Sequence, residues 1–160
     1  MVTDVDTRAR EVVEGVEDPE LPYVTIGDLG MVRDVQADGT QITVKLTPTY
    51  TGCPATEQIR DDVCVALADA GYDADVSFVL SPPWTTDWIT EVGREKLTKA
   101  GIAPPHQAGD GHETRLDLPV ACPRCGSRHT KRYGDFGSTA CKTNFVCESC
   151  REPFELFKAL

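Results

Sequence analysis

The residues best suited to chemistry here are cysteines. Cys122-Pro-Arg-Cys125-Gly126 and Cys147-Glu-Ser-Cys150 are two C-x2-C pairs separated by 21 residues. A tetrahedral metal with bonds of about 2.3 Å needs four thiolates converging on one point. Each C-x2-C turn presents two sulfurs from one knuckle, and two knuckles on neighbouring hairpins complete the set. Gly126, directly after the first pair, fits a tight knuckle turn. The spacing predicts that Cys122, Cys125, Cys147 and Cys150 hold a structural zinc ion in a ribbon. Iron suits the same four sulfurs and is the alternative metal; two disulfides in an oxidising compartment would be the metal-free alternative. A unit of roughly 40 residues is near the lower limit for folding without a metal or staple.

Three cysteines lie outside those pairs. Thr51-Gly52-Cys53-Pro54 opens a helix. Pro54 suits the first helical position, which puts Cys53 at the N-cap. Unsatisfied N–H groups and the positive helix end favour a thiolate there. Cys53 is thus either a functional thiol or a passive cap. Cys64 lies on the flank of the same helix's apolar stripe and reads as packed. Cys141, six residues before Cys147, is either a buried ribbon residue or a spare thiol for metal exchange. The acidic run Asp18-Pro19-Glu20 reads as a solvated loop that ends a helix, or as a site for a cation or partner.

The elements that must position these residues follow from periodicity. Val5, Ala9, Val12, Val13 and Val16 recur at helical spacing, and the helix stops before Pro19. Met31 to Gln36 and Thr40 to Thr47 read as two strands around Asp38-Gly39. Ile59, Val63, Ala66, Leu67 and Ala70 form the buried face of a second helix, with Gly71 as its stop. Residues 73–80 read as a third strand with Val76, Phe78 and Leu80 on one face, and residues 84–100 as a third helix. Trp84 and Trp88, four apart on that helix, read as core or as an exposed anchor.

Pro104, Pro105, Gly109, Gly111 and Pro119 mark residues 102–119 as a linker. Val146, Phe154, Leu156 and Phe157 read as strands flanking the knuckles. The expected architecture is α+β: a three-strand, three-helix domain over residues 1–101, the linker, then an all-β zinc ribbon over 120–160. Charge divides at the same boundary. Residues 1–101 carry 8 Lys+Arg against 19 Asp+Glu, while residues 102–160 carry 8 against 7.

The formal charge of −10 speaks against broad binding to nucleic acid or anionic membrane. The odd total of seven cysteines rules out complete internal disulfide pairing. The N-terminal residues have no basic, then apolar, signal pattern, and no run reaches 18 apolar residues, so the expectation is a cytoplasmic protein with no membrane span. No phosphate-cradling G-x4-G-K-[ST] or G-x-G-x-x-G run is present. None of His106, His112 and His129 has Glu three residues before it, which excludes a Glu-x-x-His di-iron motif. The chain carries thiols but no evident general acid–base constellation.

At Asp18-Pro19-Glu20, Asp28-Leu29-Gly30 and Thr49-Tyr-Thr-Gly52-Cys53-Pro54 the first domain resembles the iron–sulfur assembly family that includes SufT. Residues 81–88 (Ser81-Pro82-Pro83-Trp84-Thr85-Thr86-Asp87-Trp88), 136–142 and 152–158 resemble the PaaD family of the bacterial phenylacetate pathway. The resemblance implies an accessory protein of the multicomponent phenylacetyl-CoA epoxidase, which is not the oxygenase itself. It implies maturation or repair of a metal centre, with Cys53 as the functional thiol for transient iron–sulfur or iron transfer. The implied partners are the oxygenase or reductase subunits, other iron–sulfur assembly proteins, or a second copy of the chain. A nucleic-acid-binding ribbon using Arg124, Arg128, Lys131 and Arg132, and a thiol oxidoreductase using Cys53, are the alternatives from other classes.

Overall fold

The structure is a computed structural model that describes residues 4–21, 23–106 and 119–158. The chain divides into two compact units, residues 1–84 and 85–160.

In the first unit, α1 (Asp4–Glu14) precedes the antiparallel pair β1 (Val32–Asp38) and β2 (Gln41–Leu46). Gly39, at φ +65°, makes the turn between them, a region that favours glycine. Next come α2 (Ala55–Asp69) and β3 (Asp73–Phe78), which pairs parallel with β2. The sheet order is β1-β2-β3. Ile42, Val44 and Leu46 are buried, whereas Lys45 and Thr43 alternate with them, as one face packed on helices requires. On α2, Ile59, Val63 and Leu67 are buried, while Ala70 is exposed and Cys64 half-buried. Val76 and Phe78 are half-buried, but Leu80 lies beyond the end of β3 and is exposed.

The segment after α1 folds back along its C-terminal end. Ile26 N–H donates to Val16 O at 2.8 Å and Gly27 N–H to Glu14 O at 3.2 Å. A Cβ on Gly27 would sit 2.7 Å from both the Cβ and the carbonyl oxygen of Glu14. Gly27→Ala is therefore expected to destabilise this unit by about 1–3 kcal/mol, seen as a lower thermal midpoint.

The second unit contains α3 (Glu91–Lys99), β4 (Ile102–Ala103), β5 (Thr130–Gly134), β6 (Lys142–Cys147) and β7 (Pro153–Phe157). The sheet order is β4-β7-β6-β5, with β5, β6 and β7 antiparallel and β4 parallel to β7. Ala103, Val120, Phe145, Phe154 and Leu156 form a core with Cys122 and Cys147. The rings of Phe145 and Phe154 stack at 5.7 Å between centroids.

Two details of this stretch differ from the sequence reading. Residues 84–100 are not one helix: Thr85 is extended, Thr86–Trp88 is a single 3-10 turn, and α3 begins only after Thr90. The reason is capping. Thr90 is extended and its hydroxyl accepts the Gly93 N–H, so the regular helix starts there. Trp84 is instead core, its indole N–H donating to Leu29 O at 2.7 Å. The other difference is at the start of the expected linker, where Ile102 and Ala103 are buried and pair with Glu155 and Leu156 of β7. Residues 107–118 of that linker lie outside the described residues. No helix among the described residues is long and apolar enough to cross a membrane.

Candidate functional site

Cys53 is held between two fixed loops. Gly52, at φ +90°, turns the chain before it, and Cys53 N–H donates to Tyr50 O at 3.2 Å. The Cys53 carbonyl accepts both the N–H and the hydroxyl of Thr56, at 3.2 and 2.9 Å. This tight first turn shifts α2 one residue from the expected register. Pro54, already in helical geometry, is the N-cap, and Cys53 precedes it. The thiol is half-buried beside the positive end of a 15-residue helix.

The facing loop is built by Asp18. Its Oδ1 accepts the N–H groups of Glu20 and Leu21 at 2.8 and 3.1 Å, and Asp18 N–H donates to Val24 O at 2.8 Å. Leu21 is buried beneath the loop. Thr25 and Asp28 cap each other, each side chain accepting the other's backbone N–H at 3.0 Å. As a result Glu20 Oε2 lies 4.0 Å from Cys53 Sγ, across 33 residues of sequence. Asp18→Ala is expected to release the Glu20 and Leu21 amides, faster in hydrogen exchange, at a cost of about 1–2 kcal/mol.

The second site is the cysteine cluster. The sulfurs of Cys122, Cys125, Cys147 and Cys150 all lie within 4.8 Å of one another. Cys122 and Cys150 are 3.8 Å apart, and Cys125 and Cys147 3.5 Å. Four sulfurs bonded tetrahedrally at about 2.3 Å would be separated by about 3.8 Å, so this set fits one metal ion. The knuckles repeat one geometry. Gly126 N–H donates to Cys122 O at 2.9 Å, and Arg151 N–H to Cys147 O at 2.8 Å. Gly126 and Arg151 both have positive φ, +74° and +63°. The hydroxyls of Ser127 and Ser149, one from each knuckle, meet at 2.8 Å.

The thiols are not equivalent. Cys147 is pulled down to about 6, first by the backbone N–H of Cys150. Cys150 is pushed up to about 12: a backbone hydrogen bond at Glu152 favours its thiolate, but desolvation and the neighbouring thiols outweigh it. Four thiolates together therefore need a cation among them. Cys141 is buried, its sulfur 3.0 Å from the Thr139 hydroxyl, and it is not part of the cluster.

All four ribbon cysteines singled out by spacing come together. The Cys53–Glu20 approach was not foreseen from sequence. Its only sequence signal was that Asp18-Pro19-Glu20 and Thr51-Gly52-Cys53-Pro54 both carry the resemblance to the assembly family.

An α+β unit presenting one half-buried thiol beside a carboxylate, followed by a four-cysteine ribbon, defines a two-module protein. The class is an iron–sulfur-assembly-type domain joined to a metal-binding ribbon. Residues 6–80 match the family model of iron–sulfur cluster assembly proteins. Residues 106–158 match that of the PaaD zinc β-ribbon domain. A protein of Escherichia coli K12, whose name describes it as a candidate component of 1,2-phenylacetyl-CoA epoxidase, is 47% identical over 148 residues. The match covers 91% of this chain and 87% of that one. The chain belongs to the PaaD family. Two proteins named as Fe–S protein maturation auxiliary factors match its first part: YitW of Bacillus subtilis, 45% identical over 53% of this chain and 85% of that one, and SufT of Staphylococcus aureus, 40% identical over 51% and 96%. A crystal structure of a Bacillus anthracis domain of unknown function, DUF59, shares the fold with a TM-score of 0.54 and 32% identity, covering 57% of this chain and 90% of that one.

Proposed function

We propose that this chain is a cytoplasmic accessory factor that matures or repairs the iron–sulfur centre of a phenylacetyl-CoA epoxidase, and is not the oxygenase itself. The observation that carries the reading is the half-buried Cys53 thiol, 4.0 Å from Glu20 in a domain of the assembly family. The substrate is an iron–sulfur cluster or an iron ion. Cys53 thiolate is one ligand to it, and one thiol cannot saturate a cluster. The remaining ligands come from a second copy of the chain or from the client.

Transfer is then ligand exchange. A client thiolate forms a bond to iron as the Cys53 bond breaks, and no electron changes hands. The proton lost by the client thiol goes to the departing Cys53 sulfur. Glu20, within reach of that sulfur, is suited to relay it.

The ribbon is the second module. We infer that its metal is zinc with a structural role, which fits the sulfur spacing and the domain model. The first unit, residues 1–84, then acts as the transfer domain, and the ribbon of the second unit, residues 120–160, as a docking module.

Anaerobic metal and sulfide analysis of the purified protein tests this. Iron with sulfide in the wild type, absent from Cys53→Ala, together with one zinc in both, is the expected result. Iron and sulfide unchanged in Cys53→Ala would refute Cys53 as the transfer ligand.

A further inference from the structure

Residues 120–134 run through the first knuckle and β5. They include four cations, Arg124, Arg128, Lys131 and Arg132, and no carboxylate. In a chain with a formal charge of −10, this stretch has the opposite sign. Several other cations of the same unit have internal duties, though Lys99 and Arg151 are also exposed and make no ion pair among the described residues. Lys142 pairs with Glu155 at 3.5 Å, Lys158 lies over the Phe136 ring, and Arg94 donates to the carbonyls of Thr86 and Pro105. Arg132 pairs with Asp135 at 2.9 Å. Arg124, Arg128 and Lys131 are exposed, and among the described residues none of the three makes an ion pair.

These cations lie on and beside a sheet edge that is unpaired among the described residues. β5 is the last strand of its sheet and pairs only with β6 among the described residues. Its outer edge offers backbone groups to a further strand, although the Thr130 N–H is already given to Arg128 O at 2.9 Å. Lys131 is exposed on it, and Tyr133, 60% exposed, follows at the register shift between Arg132 and Gly134. The bulge limits regular pairing to the knuckle-proximal part of the edge, next to the cations.

We propose that this edge docks an acidic, extended polypeptide segment of a partner protein. The segment adds a strand to β5 and sets its carboxylates against Arg124, Arg128 and Lys131. The edge selects an extended peptide through main-chain hydrogen bonds, and the cations select its sign. A nucleic acid fits less well. A five-residue strand spans about 17 Å. Duplex DNA carries a charge every ~1.7 Å and continues far past a strip of this length, so most of its charge would find no partner there. A short acidic peptide ends where the strip ends. This inference does not depend on the role of Cys53.

The test uses the full-length, metal-loaded protein and a fluorescein-labelled synthetic peptide of alternating Glu and Val. Fluorescence anisotropy at low salt should show binding that weakens as salt rises. Arg128→Glu with Lys131→Glu should weaken it at least ~10-fold. A variant with Gln at both positions should fall between. Metal content equal to wild type shows that each variant is folded. Amides of β5 should gain hydrogen-exchange protection when the peptide binds. Failure of the peptide to bind, binding indifferent to both double variants, no added protection in β5, or tighter binding of single-stranded DNA than of the peptide would each overturn the proposal.

Discussion

Cys53→Ala is expected to reduce iron–sulfur loading of a co-expressed epoxidase client to the level reached with no factor present. The fold should survive. Cys53 is half-buried, outside the cluster of buried side chains, and its backbone bonds to Tyr50 and Thr56 do not use the sulfur. The circular dichroism spectrum and thermal midpoint should therefore match wild type within about 0.5 kcal/mol. A structural cysteine would show the opposite pattern, lower stability with client loading retained. Cys64→Ala is the matching control, since Cys64 lies on α2 away from its N-terminus. It should leave client loading unchanged.

The largest effect on stability is expected from the ribbon. Cys147→Ser removes a buried sulfur from a four-sulfur set whose members lie within 4.8 Å. Structural zinc contributes about 10–16 kcal/mol in comparable peptides. That is as large as the whole stability of a typical domain, about 5–15 kcal/mol. The core around Phe145, Phe154 and Leu156 includes Cys122 and Cys147 themselves, so loss of the metal also loosens the packing. Amides of β6 and β7 should lose exchange protection in Cys147→Ser, and the protein should purify without zinc. The strands β1 and β2 have their own buried residues, Val35, Ile42, Val44 and Leu46, and should stay protected. Cys141→Ser should keep its zinc, because Cys141 is not one of the four.

The two sites differ in how far they could be read from sequence, and the difference is one of locality. A knuckle is built by backbone turns within six residues, so C-x2-C spacing encodes it directly. The hairpin at Gly39 and the buried faces of β2 and α2 are equally local, and their periods are plain in the chain. The approach of Glu20 to Cys53 is not local. It depends on the Asp18 turn, the buried Leu21, and the turn at Gly52, none of which has a period. β4 is two residues long, too short to show alternation, and its partners Glu155 and Leu156 lie some fifty residues on. Residues 84–100 misled for another reason. The Trp84–Trp88 spacing imitates a helix face, but Trp84 is spent on the Leu29 carbonyl and the helix waits for the Thr90 cap.

The most direct test of the account is transfer itself. Wild-type protein reconstituted anaerobically with isotopically labelled iron and sulfide is mixed with the apo reductase component of the epoxidase, and label on the re-isolated reductase is measured. Label and sulfide are expected to move together to the client from wild type. With Cys53→Ala, transfer should fall to the rate seen with free iron and sulfide. Equal transfer from Cys53→Ala and wild type would contradict the account.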